Sequence, residues 1–290
     1  EAFTSFLARF PDDPRAPRAQ QWVADHRFAA GDFIGAETAY QLLFQQTNWP
    51  PTSLTHEARL MAGRAALARQ GYRDAKPYFR WLIAAGPPAG TNALISSNLV
   101  ARAYFALGDA FLAEPEGDDR FTDAMTAFAT VIERFPGTPA AQLARGKLAN
   151  AHFQRAELDP ERAAVAYTNA AALYLELMAG DAEVEARSQA EVGLGLVRER
   201  QAARAEGADR EALRQQALDR FLRVLFGGNL RPGEQAAAFW VNRAGLEAAR
   251  LSEALGGREE AARILEALQK SFPAASEALA ARARELRGGQ

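Results

Sequence analysis

The sequence predicts an all-α fold built from repeated helical hairpins, and three observations carry that prediction. Ala, Leu, Arg and Glu, all strong helix formers, are abundant, while the β-branched residues are scattered. No run alternates apolar and polar residues between hairpin turns, the pattern a half-buried strand needs. A small residue followed four positions later by a large one recurs six times, each pair inside a helix-prone run.

The six pairs are Ala36/Tyr40, Ala75/Phe79, Ala124/Phe128, Ala163/Tyr167, Ala217/Phe221 and Ala261/Leu265. Three residues further on stand Leu43, Leu82, Val131, Ala170, Val224 and Leu268. Spacings of four and three place all of these on one face of a helix, so that face is the core. Five residues beyond come Asn48, Pro87, Pro136, Leu175, Asn229 and Pro273, half of them the proline that stops a helix. Upstream of each pair lies another helical run, mostly ending near a glycine: "QQWVADHRFAAG" before Ala36, "ARLMAGRAALARQG" before Ala75, "AGLEAARLSEALGG" before Ala261. Glycine there supplies the left-handed backbone that turns the chain into the second helix. Each unit is therefore a helix, a tight turn, a second helix and a stop, and the small residue marks where a neighbouring helix comes close.

This arrangement resembles the tetratricopeptide repeat (TPR), a helix–turn–helix unit of about 34 residues with small, aromatic and terminal-proline positions. The resemblance spans nearly the whole chain. It is clearest in "EARLMAGRAALARQGYRDAKPYFRWLIAAGPP" (57–88), weaker in 17–48 and 242–273, and loose elsewhere. It implies a single α-solenoid over 1–290, a right-handed superhelix of about six hairpins whose first helices line the concave face. Successive small residues are 39, 49, 39, 54 and 44 positions apart. The excess falls in "EPEGDDR" (114–120), read as a solvated insert, and in a long helix around "VRERQAARAEGADRE" (197–211).

The stop signal itself repeats, as "FLARFPDDPRAP" (6–17), "VIERFPGTPAA" (131–141) and "LQKSFPAASEA" (268–278). Pro11 in a terminal position makes 1–10 the second helix of a preceding repeat, so the expectation is a fragment of a longer array, with 274–290 as a terminal helix. Endings of the "RFP" type are similar to those of bacterial envelope TPR proteins, BamD-like and Tol-Pal-associated, which implies a periplasmic or cell-envelope setting.

Composition narrows the function classes. Lys and Arg number 34 against 36 Asp and Glu in 290 residues, a net charge of −2 that provides no global field for nucleic acid or an anionic membrane. No apolar run approaches the roughly 18 residues of a membrane span. The absence of cysteine removes disulfides, thiolate catalysis and cysteine zinc sites. The three histidines, His26, His56 and His152, lack a partner at the i, i+4 spacing of a helical metal site. "GLGLV" (193–197) lacks the strand and third glycine of a phosphate loop and reads as close helix packing; "RGK" (145–147) is not a P-loop. "EPEGDDR" lacks the alternating ligand ladder of a calcium loop, and no Gly-x-Ser-x-Gly elbow occurs. The expectation is no catalytic, cofactor or metal site.

An aromatic stripe, Trp22, Phe28, Phe33, Tyr40, Phe79, Trp81, Phe105, Phe128, Phe153, Tyr167, Phe221, Phe239 and Trp240, is expected to fill the core. Arginine offers a different kind of site. With the first helices on the concave face, counting back from the small residues places Arg18, Arg102, Arg145, Arg187 and Arg243 near the starts of those helices, with Arg64 and Arg250 about two turns on. A ladder of planar guanidinium forks suits an acidic segment or a free C-terminus; ordinary solvated arginines are the competing reading. The sequence thus points to a protein–protein interaction scaffold with a protein or peptide partner. The alternative is a regulatory or assembly segment of a larger protein whose catalytic part lies elsewhere.

Overall fold

The glycine signals between first and second helices become turns in the structure at Gly31 and Gly256. Gly31 and Gly256 adopt φ of +79° and +85°, conformations open to glycine at little cost, and each reverses the chain into a second helix. The middle case differs from the expectation. At the "ARQG" turn the left-handed residue is Gln70 (φ 66°), and Gly71 instead caps the next helix with φ −81°. Polar caps fix other starts: Asp32 Oδ1 accepts from Gly35 N at 2.9 Å, and Ser96 Oγ accepts from Leu99 N at 3.1 Å. Where the terminal position holds Leu175 rather than proline, the helix simply continues to Ala179.

The computed structural model describes residues 2–87, 89–115, 120–272 and 276–288. Among the described residues every regular element is an α-helix. They are α1 (Ala2–Arg9), α2 (Ala16–Ala29), α3 (Phe33–Gln45), α4 (Ser53–Ala68), α5 (Tyr72–Ala85), α6 (Ser97–Ala113) and α7 (Arg120–Arg134). There follow α8 (Pro139–Leu158), α9 (Ala163–Ala179), α10 (Val184–Ala202), α11 (Gly207–Leu225), α12 (Ala238–Ala254), α13 (Arg258–Ser271) and α14 (Ser276–Gly288). The fold is an all-α array of TPR-like helical hairpins. Residues 197–211 are not one long helix: α10 ends at Ala202, a turn intervenes, and α11 starts at Gly207 with φ +53°. Most of the "EPEGDDR" insert and the stop at Pro273 lie outside the described residues. No helix among those described is long and apolar enough to cross a membrane.

The chain forms two compact units, Glu1–Ala144 and Arg145–Gln290. In the first, α1 packs on α2, and the hairpins α2/α3, α4/α5 and α6/α7 follow one another, with first helix α4 touching both α2 and α6. In the second, α8 and α9 share a core with α10, α10 pairs with α11, and α12 with α13, while α14 closes on α13. First helices α10 and α12 again touch directly.

The repeating core is the one the spacing predicts. All six small residues, Ala36, Ala75, Ala124, Ala163, Ala217 and Ala261, are 0% exposed, and the large residues four positions on are buried beside them. The first helices contribute glycines: a Cβ placed on Gly63, Gly108, Gly195 or Gly245 would stand 2.5–2.6 Å from the side chain of Phe79, Phe128, Phe221 or Leu268, respectively. That is the close packing expected of "GLGLV". The aromatic stripe divides. Tyr40, Phe79, Phe128, Tyr167 and Phe221, all on second helices, are buried, whereas Trp22, Trp81 and Phe239 are exposed and the other five are half-buried.

Candidate functional site

Buried second-helix aromatics hold the hairpins together, so the first helices are left to present side chains outward. Six positions before each first-helix small residue (Ala24, Gly63, Gly108, Ala151, Gly195, Gly245) stand Arg18, Glu57, Arg102, Arg145, Gln189 and Phe239. Counted this way, Arg187 is two residues out of step, a rotation of about 200° on a helix. Its side chain accordingly points inward and is 5% exposed.

The seven arginines do not form a row of unpaired cations. Arg102 Nη1 donates to both carboxylate oxygens of Glu57 on α4, at 2.8 and 2.9 Å. Arg145 lies 3.8 Å from Glu176 on α9. Arg243 pairs with Glu247 one turn along its own helix at 2.7 Å. Arg250 reaches Glu199 on α10 at 2.6 and 2.9 Å and Glu247 at 2.9 Å. Arg187 donates to the Ala182 carbonyl, to the Asn229 carbonyl and to Glu234. Only Arg18 and Arg64 have no ion pair among the described residues; Arg18 edges an apolar hollow formed by Phe3, Phe6 and Trp22, and Arg64 lies near Tyr40.

The second unit carries a better defined hollow of about 250 Å³, lined from α8 by Asn150 and Phe153, from α9 by Tyr174, from α10 by Gln189, Val192 and Leu196, and from α12 by Phe239, Trp240 and Arg243. Gly193 creates part of it, because any side chain there would collide with the Tyr174 ring. Tyr174 donates its hydroxyl to Asn150 Oδ1, and burial pushes its pKa up, so the phenol stays protonated and Asn150 keeps its amide group turned as a donor. The Gln189 side chain makes no hydrogen bond among the described residues. Phe239 is 70% exposed and meets Trp240 edge-on, ring centroids 4.9 Å apart.

The aromatic wall is placed by the loop 226–237. Gly227 and Gly233 turn it at φ +73° and +85°. Asn229 donates to Ser188 Oγ at 2.7 Å, and Arg231 donates to the Gly180 carbonyl at 2.6 Å. Glu234 accepts from the Arg231 backbone N–H and from Arg187, which together hold its carboxyl below the usual range. The loop is thus strapped across the start of α10 and delivers Phe239 and Trp240 to the hollow's edge.

The sequence singled out Arg243 and three of the aromatic side chains around this hollow other than Tyr174, and missed Asn150 and Gln189. Counting from the first-helix glycines, rather than back from the second helix, would have found Gln189. Chemically the hollow offers apolar surface, two amides and a cation. Among the described residues no group of three or more His, Asp or Glu is arranged to hold a metal ion.

No family model matches the sequence, and no curated protein matches it. Among solved structures the chain is similar to BtubC (BKLC) from P. vanneervenii, with 14% identity, 92% of this chain and 91% of that one covered, and a TM-score of 0.45. It is also similar to the TPR2AB domain of yeast Sti1, solved in complex with pHSP90, with 12% identity, 92% and 98% covered, and a TM-score of 0.36.

Proposed function

We propose that this protein is a non-catalytic protein–protein interaction scaffold, and that an extended segment of its partner lies in the hollow of α8, α9, α10 and α12. The observation that carries this reading is an exposed aromatic ring, Phe239, beside the side-chain amide of Gln189, which has no partner among the described residues. An extended peptide presents an N–H and a C=O at every residue, and a primary amide side chain satisfies both at once. Phe239 and Trp240 supply the rigid apolar contact that dominates interface energetics. Arg243 is half exposed and, among the described residues, is paired only with Glu247 of its own helix, which Arg250 also holds, so an acidic residue of the partner competes for it at little cost. The "RFP" repeat endings support a bacterial envelope setting, which cell fractionation with an antibody to the native protein tests.

The binding experiment is selection of peptides from a displayed random library, followed by affinity measurement of the enriched sequences. Phe239→Ala with Arg243→Glu should weaken them by about tenfold or more, while Ile34→Ala on the exposed face of α3 should not. Equal binding by the Phe239/Arg243 variant overturns the assignment of the hollow.

A further inference from the structure

Arg59 of α4 occupies an unusual position in the first unit. Its guanidinium carbon lies 4.1 Å from the centre of the Phe44 ring of α3 and 3.9 Å from that of Trp81 of α5. The group is therefore covered on both faces by rings from two second helices. It has no carboxylate and no hydrogen-bond acceptor among the described residues, and its Nε is buried without a partner. Nearby Arg69, by contrast, is bound to Glu37 and Asp74 at 2.6 and 2.7 Å.

A second polar atom on the same indole is in the same state. His56, one turn before Arg59, stacks on Trp81 with ring centroids 5.6 Å apart at 22°, and its Nδ1 is buried and unpaired. Its Nε2 faces the Asn92 side-chain amide at 3.3 Å. A guanidinium whose faces are capped can bond only in its own plane, and with Nε enclosed, the two terminal nitrogens are the donors left. Two parallel N–H groups in one plane match the two oxygens of a carboxylate. Burial already pushes the guanidinium pKa down, the expected result of placing a cation here without an anion.

We propose that the edge of Arg59 between Phe44 and Trp81 is a carboxylate-binding subsite that receives an acidic group of a partner polypeptide. The rings orient the fork and exclude water from its faces, so the incoming carboxylate meets a partly desolvated, fixed cation. The subsite lies in the first unit and depends on none of the residues of the hollow around Phe239.

Nε–H resonances of arginine report on this site directly, because the buried Arg59 Nε–H is protected from exchange with water. The experiment titrates ¹⁵N-labelled protein with acetyl-hexaglutamyl amide, with acetyl-hexaalanine bearing a free C-terminus, and with acetyl-hexaglutaminyl amide. Saturable movement of the Arg59 Nε–H and Trp81 indole N–H peaks with the first peptide identifies side-chain carboxylates as the source; movement with the second identifies a chain terminus. Both support the subsite, and the effect should weaken as salt is raised from about 20 to about 300 mM. Arg59→Lys keeps the charge without the fork and should lose about tenfold in affinity. No movement of the Arg59 peak with either acid, or equal movement with the glutamine peptide, overturns the proposal, and either result is read on the unmutated chain.

Discussion

Gly195 of α10 lies so close to the ring of Phe221 of α11 that a Cβ on the glycine would be 2.5 Å from a ring carbon. The ring is fixed by a buried environment and has no flexible end to move aside. Gly195→Ala therefore sets two effects against each other. Alanine gains about 1 kcal/mol in helix propensity, and overpacking a tight core costs about 1–3 kcal/mol. The expected outcome is a net loss seen as a lower melting temperature, partly restored by Phe221→Leu in the same chain. Gly146 of α8 is the control, since a Cβ there meets nothing nearer than 3.6 Å; Gly146→Ala should stabilise the protein.

Ala75 tests the equivalent helix contact in another hairpin, that of α4 and α5. It is 0% exposed at the start of α5, where the α4 backbone comes close. Ala75→Arg would bury an unpaired charge and separate the two helices, so a loss of about 3 kcal/mol or more is expected. Urea unfolding followed by circular dichroism measures it.

How much of this was legible in the sequence follows from which residues carry which constraint. The second helices were readable because alanine, the large residue four on and the apolar residue seven on all obey one helical period and all face the core. The first helices were harder to register. The distance from the first-helix small residue to the second-helix alanine is 12 for Ala24/Ala36 and Gly63/Ala75, but 16 for Gly108/Ala124 and 22 for Gly195/Ala217. Counting back across a turn of variable length misplaced Arg187, which the structure buries, and passed over Gln189. Pairing partners such as Glu57 and Glu199 were equally invisible, since they stand 45 and 51 residues from Arg102 and Arg250. A preference for exposing Phe239 has no local signal at all: it depends on where the loop 226–237 delivers α12.

His152 makes stability depend on pH. Burial first, and then the charge of Arg155, lower its pKa in the folded chain below the ordinary value of 6.5. The unfolded chain therefore binds a proton more readily than the folded one as pH falls through about 6.5. Stability is full above that pH and declines below it, until the folded histidine also titrates. His56 acts in the same direction, again through burial and then a neighbouring arginine, Arg59. Melting curves between pH 8 and pH 5 should show the decline, and His152→Gln should make it shallower. An unchanged slope in that variant would show that His152 is solvated.

Arg187 and Glu234 supply the last test, because their bond fixes the loop that leads to the aromatic wall. Arg187 has few alternatives: its side chain is 5% exposed, and among the described residues it reaches, besides Glu234, only the carbonyls of Ala182 and Asn229. Removing one partner leaves a buried cation short of its counter-charge, whereas removing both charges leaves no cation to bury. Glu234→Gln should therefore lower the melting temperature more than Arg187→Met combined with Glu234→Gln. Both should alter the near-ultraviolet circular dichroism of Trp240, since the start of α12 is released in each. The acid limb has a definite sign as well. Glu234 is held below the usual carboxylate range, so the strap persists above the unfolded glutamate value of about 4.3 and opens only as pH falls through the lower folded value. A Glu234→Gln protein with an unaltered melting temperature and an unaltered tryptophan signal would mean that the loop is held by Asn229 and Arg231 alone, and that the aromatic wall needs no ion pair to stand where it does.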